Sequence, residues 1–315
     1  MRMITKSHSS HFKRRRIAAR SVFDLVGNTP LLDLTRYSPR PRVRLFAKAE
    51  WFNPGHSVKD RPASRILGMA IQSGRLSKEK KVLDSTSGNT GLAYAMFGAA
   101  LGYKVMLVAP ANIGAHQKRM LEALGAEVIY TSPQEGSDGA MRVAREMFAE
   151  SPEKYFYADQ YSNPENWRAH YRTTAPEIWR QTRGRMTHLV AGLGTSGTFV
   201  GIARWLRAIQ PAIRLVSAQP DSPFHGIEGW KHMATATVPE IYDDRLADEN
   251  IEVPTEAAQE LVRDLAVRDG LLVGISSGGA LHAARQVAGT LESGFVVTIF
   301  PDGGQRYLDE DFWKR

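Results

Sequence analysis

The chain of 315 residues contains no cysteine. That absence excludes disulfides, thiolate zinc sites, cysteine-held iron–sulfur clusters and a cysteine nucleophile. Long apolar runs are also lacking. None approaches the roughly 18 residues that a membrane span needs, which predicts a soluble chain. With 43% hydrophobic and 23% charged residues, the length suits about two domains with a large core, with no need of a metal or disulfide staple.

Acidic residues are also absent from the basic N-terminal stretch. Residues 1–20 hold Arg2, Lys6, Lys13, Arg14, Arg15, Arg16 and Arg20 and no acid. The whole chain has 41 Lys and Arg against 33 Asp and Glu, so the rest carries 34 bases against 33 acids. Of the net charge of +8, +7 therefore belongs to an arm, read as a disordered tail. It is Arg- and Ser-bearing, as transit peptides are, and lacks the apolar segment of a secretory signal.

From residue 21 the chain alternates short β-branched runs with longer amphipathic ones. Strands are expected at Val43–Ala47, Lys81–Asp84, Lys104–Val108, Glu127–Tyr130, Tyr155–Ala158, Thr187–Ala191, Ile213–Ala218 and Phe295–Phe300. Helical spacing covers Gln117–Leu124, Gly139–Ala149, Gly197–Ile209 and Glu256–Val267. The first and last of these stop at or near Gly125 and Gly270. Such alternation predicts βαβ units in mostly parallel sheets, with ligands beyond the carboxyl ends of strands.

Three strand-to-helix turns therefore hold the candidate site. Gly192-Leu-Gly194-Thr195-Ser196-Gly197-Thr198 reads literally as the dinucleotide fingerprint. The next strand ends in Gln219 rather than the acid that a ribose requires, so a phosphate cradle is the better reading, with a dehydrogenase kept as a remote alternative. A tight packing turn would explain the glycines but not the three hydroxyls. Gly274-Ile-Ser276-Ser277-Gly278 matches a nucleophile elbow, yet a hydrolase needs an acid and then a histidine downstream. His282, the only later histidine, precedes every later acid, so this is read as a hydroxyl-rich helix start. In Asp84-Ser85-Thr86-Ser87-Gly88-Asn89-Thr90-Gly91, four hydroxyl or amide side chains meet at a helix N-terminus, which suits a carboxylate. One of them would suffice for capping.

A fourth segment, Asn53-Pro54-Gly55-His56-Ser57-Val58-Lys59-Asp60-Arg61, sets Lys59 at a helix start capped by Ser57. On spacing alone Lys59 is a surface lysine. Near an apolar pocket its pKa would fall and it would serve as an amine nucleophile or base.

Taken together, these segments resemble the cysteine synthase family, the O-acetylserine sulfhydrylases among fold-type II pyridoxal-phosphate enzymes, nearest the cysteine synthase B type. The matching stretches are 25–34 (LVGNTPLLDL), 53–61 (NPGHSVKDR), 85–95 (STSGNTGLAYA), 122–128 (EALGAEV), 159–179, 191–198 (AGLGTSGT), 270–280 (GLLVGISSGGA) and 302–308 (DGGQRYL). They are collinear over residues 21–315, with the arm outside.

The resemblance implies a tryptophan synthase β-like α/β fold of two domains, each a twisted, mostly parallel sheet flanked by helices. Its expected parts are residues 21–162, which carry the Schiff-base lysine, and 163–315, which carry the phosphate loop. Part of 21–52 would pack on the second domain.

It further implies pyridoxal phosphate bound by Lys59, Asn89, Gly194, Thr195, Ser196, Gly197, Thr198 and Ser276, with no metal. Thr86, Ser87, Asn89, Thr90 and Gln160 would hold the substrate carboxylate. The implied reaction makes L-cysteine from O-acetyl-L-serine and sulfide through an α-aminoacrylate, in a cytoplasmic homodimer without membrane or nucleic-acid partners. O-phosphoserine, or a condensation like that of cystathionine β-synthase, is the alternative.

Where relatives offer Ser or Thr to the pyridine nitrogen, this chain reads Gly303 after Asp302, so Ser276, Ser277 and Asp302 compete for that contact. In the loop 220–233, His225, Lys231 and His232 would be the residues to meet a phosphate leaving group.

Overall fold

The computed structural model describes Ala19, residues 21–86 and residues 88–313. The basic arm, apart from Ala19, and Ser87 of the carboxylate turn lie outside the described residues.

Two sheets organise the chain. The smaller is built from β3 (Lys81–Ser85), β4 (Val105–Pro110), β5 (Glu127–Thr131) and β6 (Tyr155–Tyr157), in the order β5-β4-β3-β6 and parallel throughout. The larger contains β1 (Leu31–Asp33), β2 (Val43–Ala49), β7 (His188–Gly192), β8 (Arg214–Pro220), β9 (Glu249–Val253) and β10 (Gly294–Phe300), in the order β1-β2-β10-β7-β8-β9. Only the β1–β2 pairing is antiparallel in it. β1 and β2 precede the smaller sheet in the chain yet extend the larger one.

Helices cover both faces of each sheet, as parallel strands require to hide their edges and side chains. On the smaller sheet, α1 (Asp60–Gln72), α2 (Asn89–Leu101) and α3 (Ala115–Ala123) close one core around Ile66, Leu92, Phe97, Val105 and Leu107. α4 (Gly136–Glu150) closes the other, around Leu83, Met106 and Val108. On the larger sheet, α6 (Thr174–Gln181) and α7 (Gly197–Ile209) lie on one face, and α8 (Thr255–Asp269) and α9 (Ile275–Thr290) on the other. Strand β10 shows the alternation directly. Phe295, Val297 and Ile299 enter the α6–α7 core, while Val296 and Phe300 enter the α8–α9 core.

All eight expected strands form, within a residue or two at their ends, and α7 has the expected bounds. Gly125 and Gly270, at φ +74° and +65°, follow α3 and α8 in the left-handed conformation expected after a helix. β1 and β9 are additional edge strands. β9 buries only Ile251 and Val253 of its five residues, too weak an apolar signal to read from sequence.

A buried ionic cluster joins the two sheets. Arg61, on the first turn of α1, donates Nε and Nη2 to Glu50 at 2.6 and 2.8 Å, and Nη1 and Nη2 to Glu177 on α6 at 2.9 and 2.8 Å. Lys48 on β2 adds a second bridge to Glu177 at 2.8 Å. Each guanidinium edge meets a carboxylate, the arrangement that offsets desolvation best. The cluster fixes the head of α1, where Lys59 sits.

Among the described residues, no helix is long and apolar enough to cross a membrane.

Candidate active site

The carboxyl ends of β3, β7 and β10 open into one cleft between the sheets, the place where parallel α/β folds bind ligands. Lys59 is the residue before α1 and has helical backbone angles. Its amide donates to Ser57 Oγ at 3.2 Å, but Lys59 rather than Ser57 occupies the N-cap position of α1. The segment is fastened to the end of β10, because Val58 N donates to Pro301 O at 2.7 Å and Ser57 pairs with Asp302. The Lys59 side chain is half-buried along the cleft wall. Removal from water pushes its ammonium down to about 8, against the opposing pull of the Asp302 carboxylate. It is not the surface lysine that spacing alone would suggest.

The turn after β7 brings Gly194, Thr195, Ser196 and Thr198 to the same cavity as Lys59, Asn89 and Ser276. Gly197 is the first residue of α7, so the amides of that helix start face the cavity. A side chain would not fit this turn. A Cβ on Gly194 would stand 2.1 Å from Gly229 O, and one on Gly192 would stand 2.1 Å from the Trp230 ring. Ser196 takes the left-handed conformation, φ 65°, and its buried Oγ has no partner among the described residues. Free amides, an orphaned hydroxyl and strained backbone together fit a phosphate.

Helix α5 (Glu165–Arg172) supports this turn with two residues missed in the sequence. Asn166 Nδ2 donates to Gln160 O at 2.6 Å and to Thr195 Oγ1 at 3.2 Å. The ring of His170 lies 2.9 Å from Thr174 Oγ1 and 3.3 Å from Thr198 Oγ1. Burial drives the His170 imidazole down to about 3, so it stays neutral. Their i, i+4 spacing was the available signal, but two polar residues on one helix face look like a solvated face.

The turn after β3 forms the opposite wall. Thr86 Oγ1 accepts from Gly88 N at 3.2 Å and Gly91 N at 3.1 Å, so Thr86 supplies the ordinary capping. Thr90 donates to Gln160 Oε1 at 2.8 Å, and Gln160 Nε2 donates to Ser85 O at 2.8 Å. Thr86, Asn89, Thr90 and Gln160 all line the cavity beside Lys59.

The pyridine-nitrogen candidates separate. Ser276 lines the cavity, whereas Ser277 is fully buried and is not among the lining residues. Asp302 is buried, and its Oδ2 already accepts from Asn89 Nδ2 at 2.7 Å and Tyr307 Oη at 2.5 Å. Burial raises its pKa while those two bonds oppose the rise.

Of the three loop residues His225, Lys231 and His232, Lys231 alone lines the cavity, paired with Asp138 at 3.6 Å. His225 Nδ1 accepts from Ile227 N at 3.2 Å, and His232 Nδ1 lies 2.9 Å from Thr235 Oγ1. Neither ring reaches the cleft. Among the described residues, no cluster of histidines and carboxylates is arranged to hold a metal.

Comparison with known proteins agrees with this geometry. Residues 22–302 match the family model described as "Pyridoxal-phosphate dependent enzyme". The chain is 48% identical over 305 residues to a cysteine synthase of Aquifex aeolicus, covering 95% of this chain and 93% of that protein. It is 39% identical over 290 residues to the cysteine synthase B of Pseudomonas aeruginosa, covering 91% and 95%. The crystal structure of a cysteine synthase (OASS) from Entamoeba histolytica superimposes with a TM-score of 0.89 at 35% identity, covering 99% of this chain and 95% of that one.

Proposed function

The chain belongs to the pyridoxal-phosphate-dependent enzymes, and from that premise we propose that it makes L-cysteine from O-acetyl-L-serine and sulfide by replacement at the β-carbon. One observation carries the reading. A lysine amine with a lowered pKa opens into a cleft whose two other walls are a phosphate cradle and a carboxylate site. Neither a dehydrogenase nor a binding module would need all three.

When bound, pyridoxal phosphate supplies an electron sink that stabilises negative charge on the substrate's α-carbon. The residues of the chain do the rest. The turn Gly194–Thr198 holds the phosphate by backbone amides and hydroxyls, with Asn166 and His170 keeping Thr195 and Thr198 in place. Ser276, which lines the cavity, would meet the ring nitrogen. As a neutral hydroxyl it does not enforce protonation there, which favours β-chemistry over transamination. Asn89, anchored by Asp302, would be the residue near the cofactor's 3′ oxygen.

Thr86, Ser87, Asn89, Thr90 and Gln160 take the amino acid's carboxylate, which fixes the Cα–H bond relative to Lys59. Lys59 anchors the cofactor covalently. Released by the incoming amino acid, its neutral amine takes the α-proton, and its ammonium returns that proton after the nucleophile has added. A pKa near 8 suits both duties at neutral pH.

The two sheets are read as the two domains, divided near residue 162, with β1 and β2 lent to the second. A cytoplasmic homodimer acting on sulfide completes the reading. The purified protein is expected to be yellow and to convert O-acetyl-L-serine and sulfide to L-cysteine. A protein that stays colourless with added pyridoxal phosphate and yields no cysteine would overturn it.

A further inference from the structure

One ionisable group in the cleft has no duty in this reaction. Glu228 lies on the segment Gly226–Trp230 after β8 and lines the cavity on both the carboxylate side and the phosphate side. Its Oε1 lies 3.3 Å from where a Cβ on Gly88 would be, so it stands over the carboxylate turn. Gln117, on α3, supplies a side-chain hydrogen bond from the other sheet. Among the described residues, no Lys or Arg forms an ion pair with it.

Its position matters because of what the other walls are already doing. Thr86, Asn89, Thr90 and Gln160 face the amino acid's carboxylate, and Lys59, Gly194 and Thr195 face the cofactor. Glycines apart, the remaining lining residues are Ser137, Tyr161, Glu228, Trp230, Lys231 and Tyr307. The substituent on the β-carbon must lie against that wall. The cation there, Lys231, pairs with Asp138 at 3.6 Å. Burial, with the fields of Asp302 and Glu310, pushes the Glu228 carboxyl up to about 7, against the hydrogen bond from Gln117 and the field of Arg306. Among these six residues Lys231 is the one cation, and it shares the wall with the carboxyl of Glu228.

We propose that Glu228 selects the amino-acid donor by charge, admitting an uncharged β-ester and rejecting a β-phosphate. The inference rests on the β-replacement reading and names the donor class for that same site. A phosphate dianion placed here would meet a carboxylate at short range in a partly desolvated cleft, where repulsion is screened little. An acetyl ester carries no charge and meets no such cost.

The experiment compares holoenzyme and the variants Glu228→Gln and Glu228→Ala at pH 8, where the native carboxyl is ionised. For each, kcat/KM is measured with O-acetyl-L-serine and with O-phospho-L-serine. Binding of O-phospho-L-serine and L-serine is followed separately by the fluorescence of Trp230, which lines the cleft. The native enzyme should prefer O-acetyl-L-serine. Either variant should shift the kcat/KM ratio toward O-phospho-L-serine at least tenfold, with its affinity relative to L-serine rising at least fivefold. Glu228→Ala keeps the test open if the glutamine variant fails to fold.

Ratios unchanged within twofold in the folded variants, or a native preference for O-phospho-L-serine, would overturn the role of Glu228 alone. A native enzyme that uses neither donor would overturn the reaction and this inference together.

Discussion

Asn89 donates its side-chain amide to the buried carboxylate of Asp302 at 2.7 Å, tying the first residue of α2 to the segment after β10. That one bond crosses the cleft from the carboxylate wall to the strand end that also holds Lys59. Asp302 therefore orients Asn89 and sets the electrostatics of the lysine.

A pH prediction follows from that pairing. Burial lowers the Lys59 pKa to about 8, and Asp302 pulls it upward. Only the neutral amine can capture the cofactor. Capture of pyridoxal phosphate by cofactor-free protein, followed by absorbance, should therefore speed up as pH rises and level off above about 8. Asp302→Asn removes the upward pull, so its midpoint should fall below the native one. An unmoved midpoint would show that Asp302 does not act on Lys59.

Arg61 should dominate the stability of the lysine segment. Arg61→Ala would leave Glu50 and Glu177 facing each other, buried and with only Lys48 to compensate. Breaking a buried pair this way costs about 3–5 kcal/mol. Denaturant unfolding should report a loss of that size, and a loss below about 1 kcal/mol, the range of surface pairs, would contradict the account.

Gly194 is fixed by sterics, not by turn conformation. Its Cβ in Gly194→Ala would collide with Gly229 O, 2.1 Å away, and push the phosphate turn from the loop that bears Glu228. Overpacking costs about 1–3 kcal/mol. If that strain falls on the holo form, affinity for pyridoxal phosphate should drop roughly 5- to 150-fold. Titration of cofactor-free protein measures this, with circular dichroism to confirm the fold.

Thr90 holds Gln160 through a bond of 2.8 Å. Thr90→Val removes that bond and one donor to the substrate carboxylate. Hydrogen bonds to charged groups contribute about 1.5–3 kcal/mol, so KM for O-acetyl-L-serine should rise at least tenfold. Affinity for pyridoxal phosphate should stay within about threefold, since Thr90 does not line the phosphate side. Equal losses in both would place Thr90 outside the substrate site.

Local signals carried much of this into the sequence. Central strands such as β4 and β10 are continuous apolar runs because both faces are covered, and the glycine and hydroxyl turns announce anion sites through helix-start chemistry. What stayed hidden depends on distant partners. Glu50, Arg61 and Glu177 read as three ordinary surface charges until the fold brings them together. Glu228 sits in a loop whose histidines stay outside the cleft, and it turns inward beside Trp230 and Lys231. β1 and β9 are short edge strands, where pairing rather than composition makes the strand.

The central claim is that Lys59 carries the cofactor, and one measurement addresses it without relying on turnover. The yellow holoenzyme is reduced with borohydride, digested, and the peptides are weighed. The account predicts that the phosphopyridoxyl mass is on Lys59 alone. An adduct on another lysine, or none at all, would contradict it.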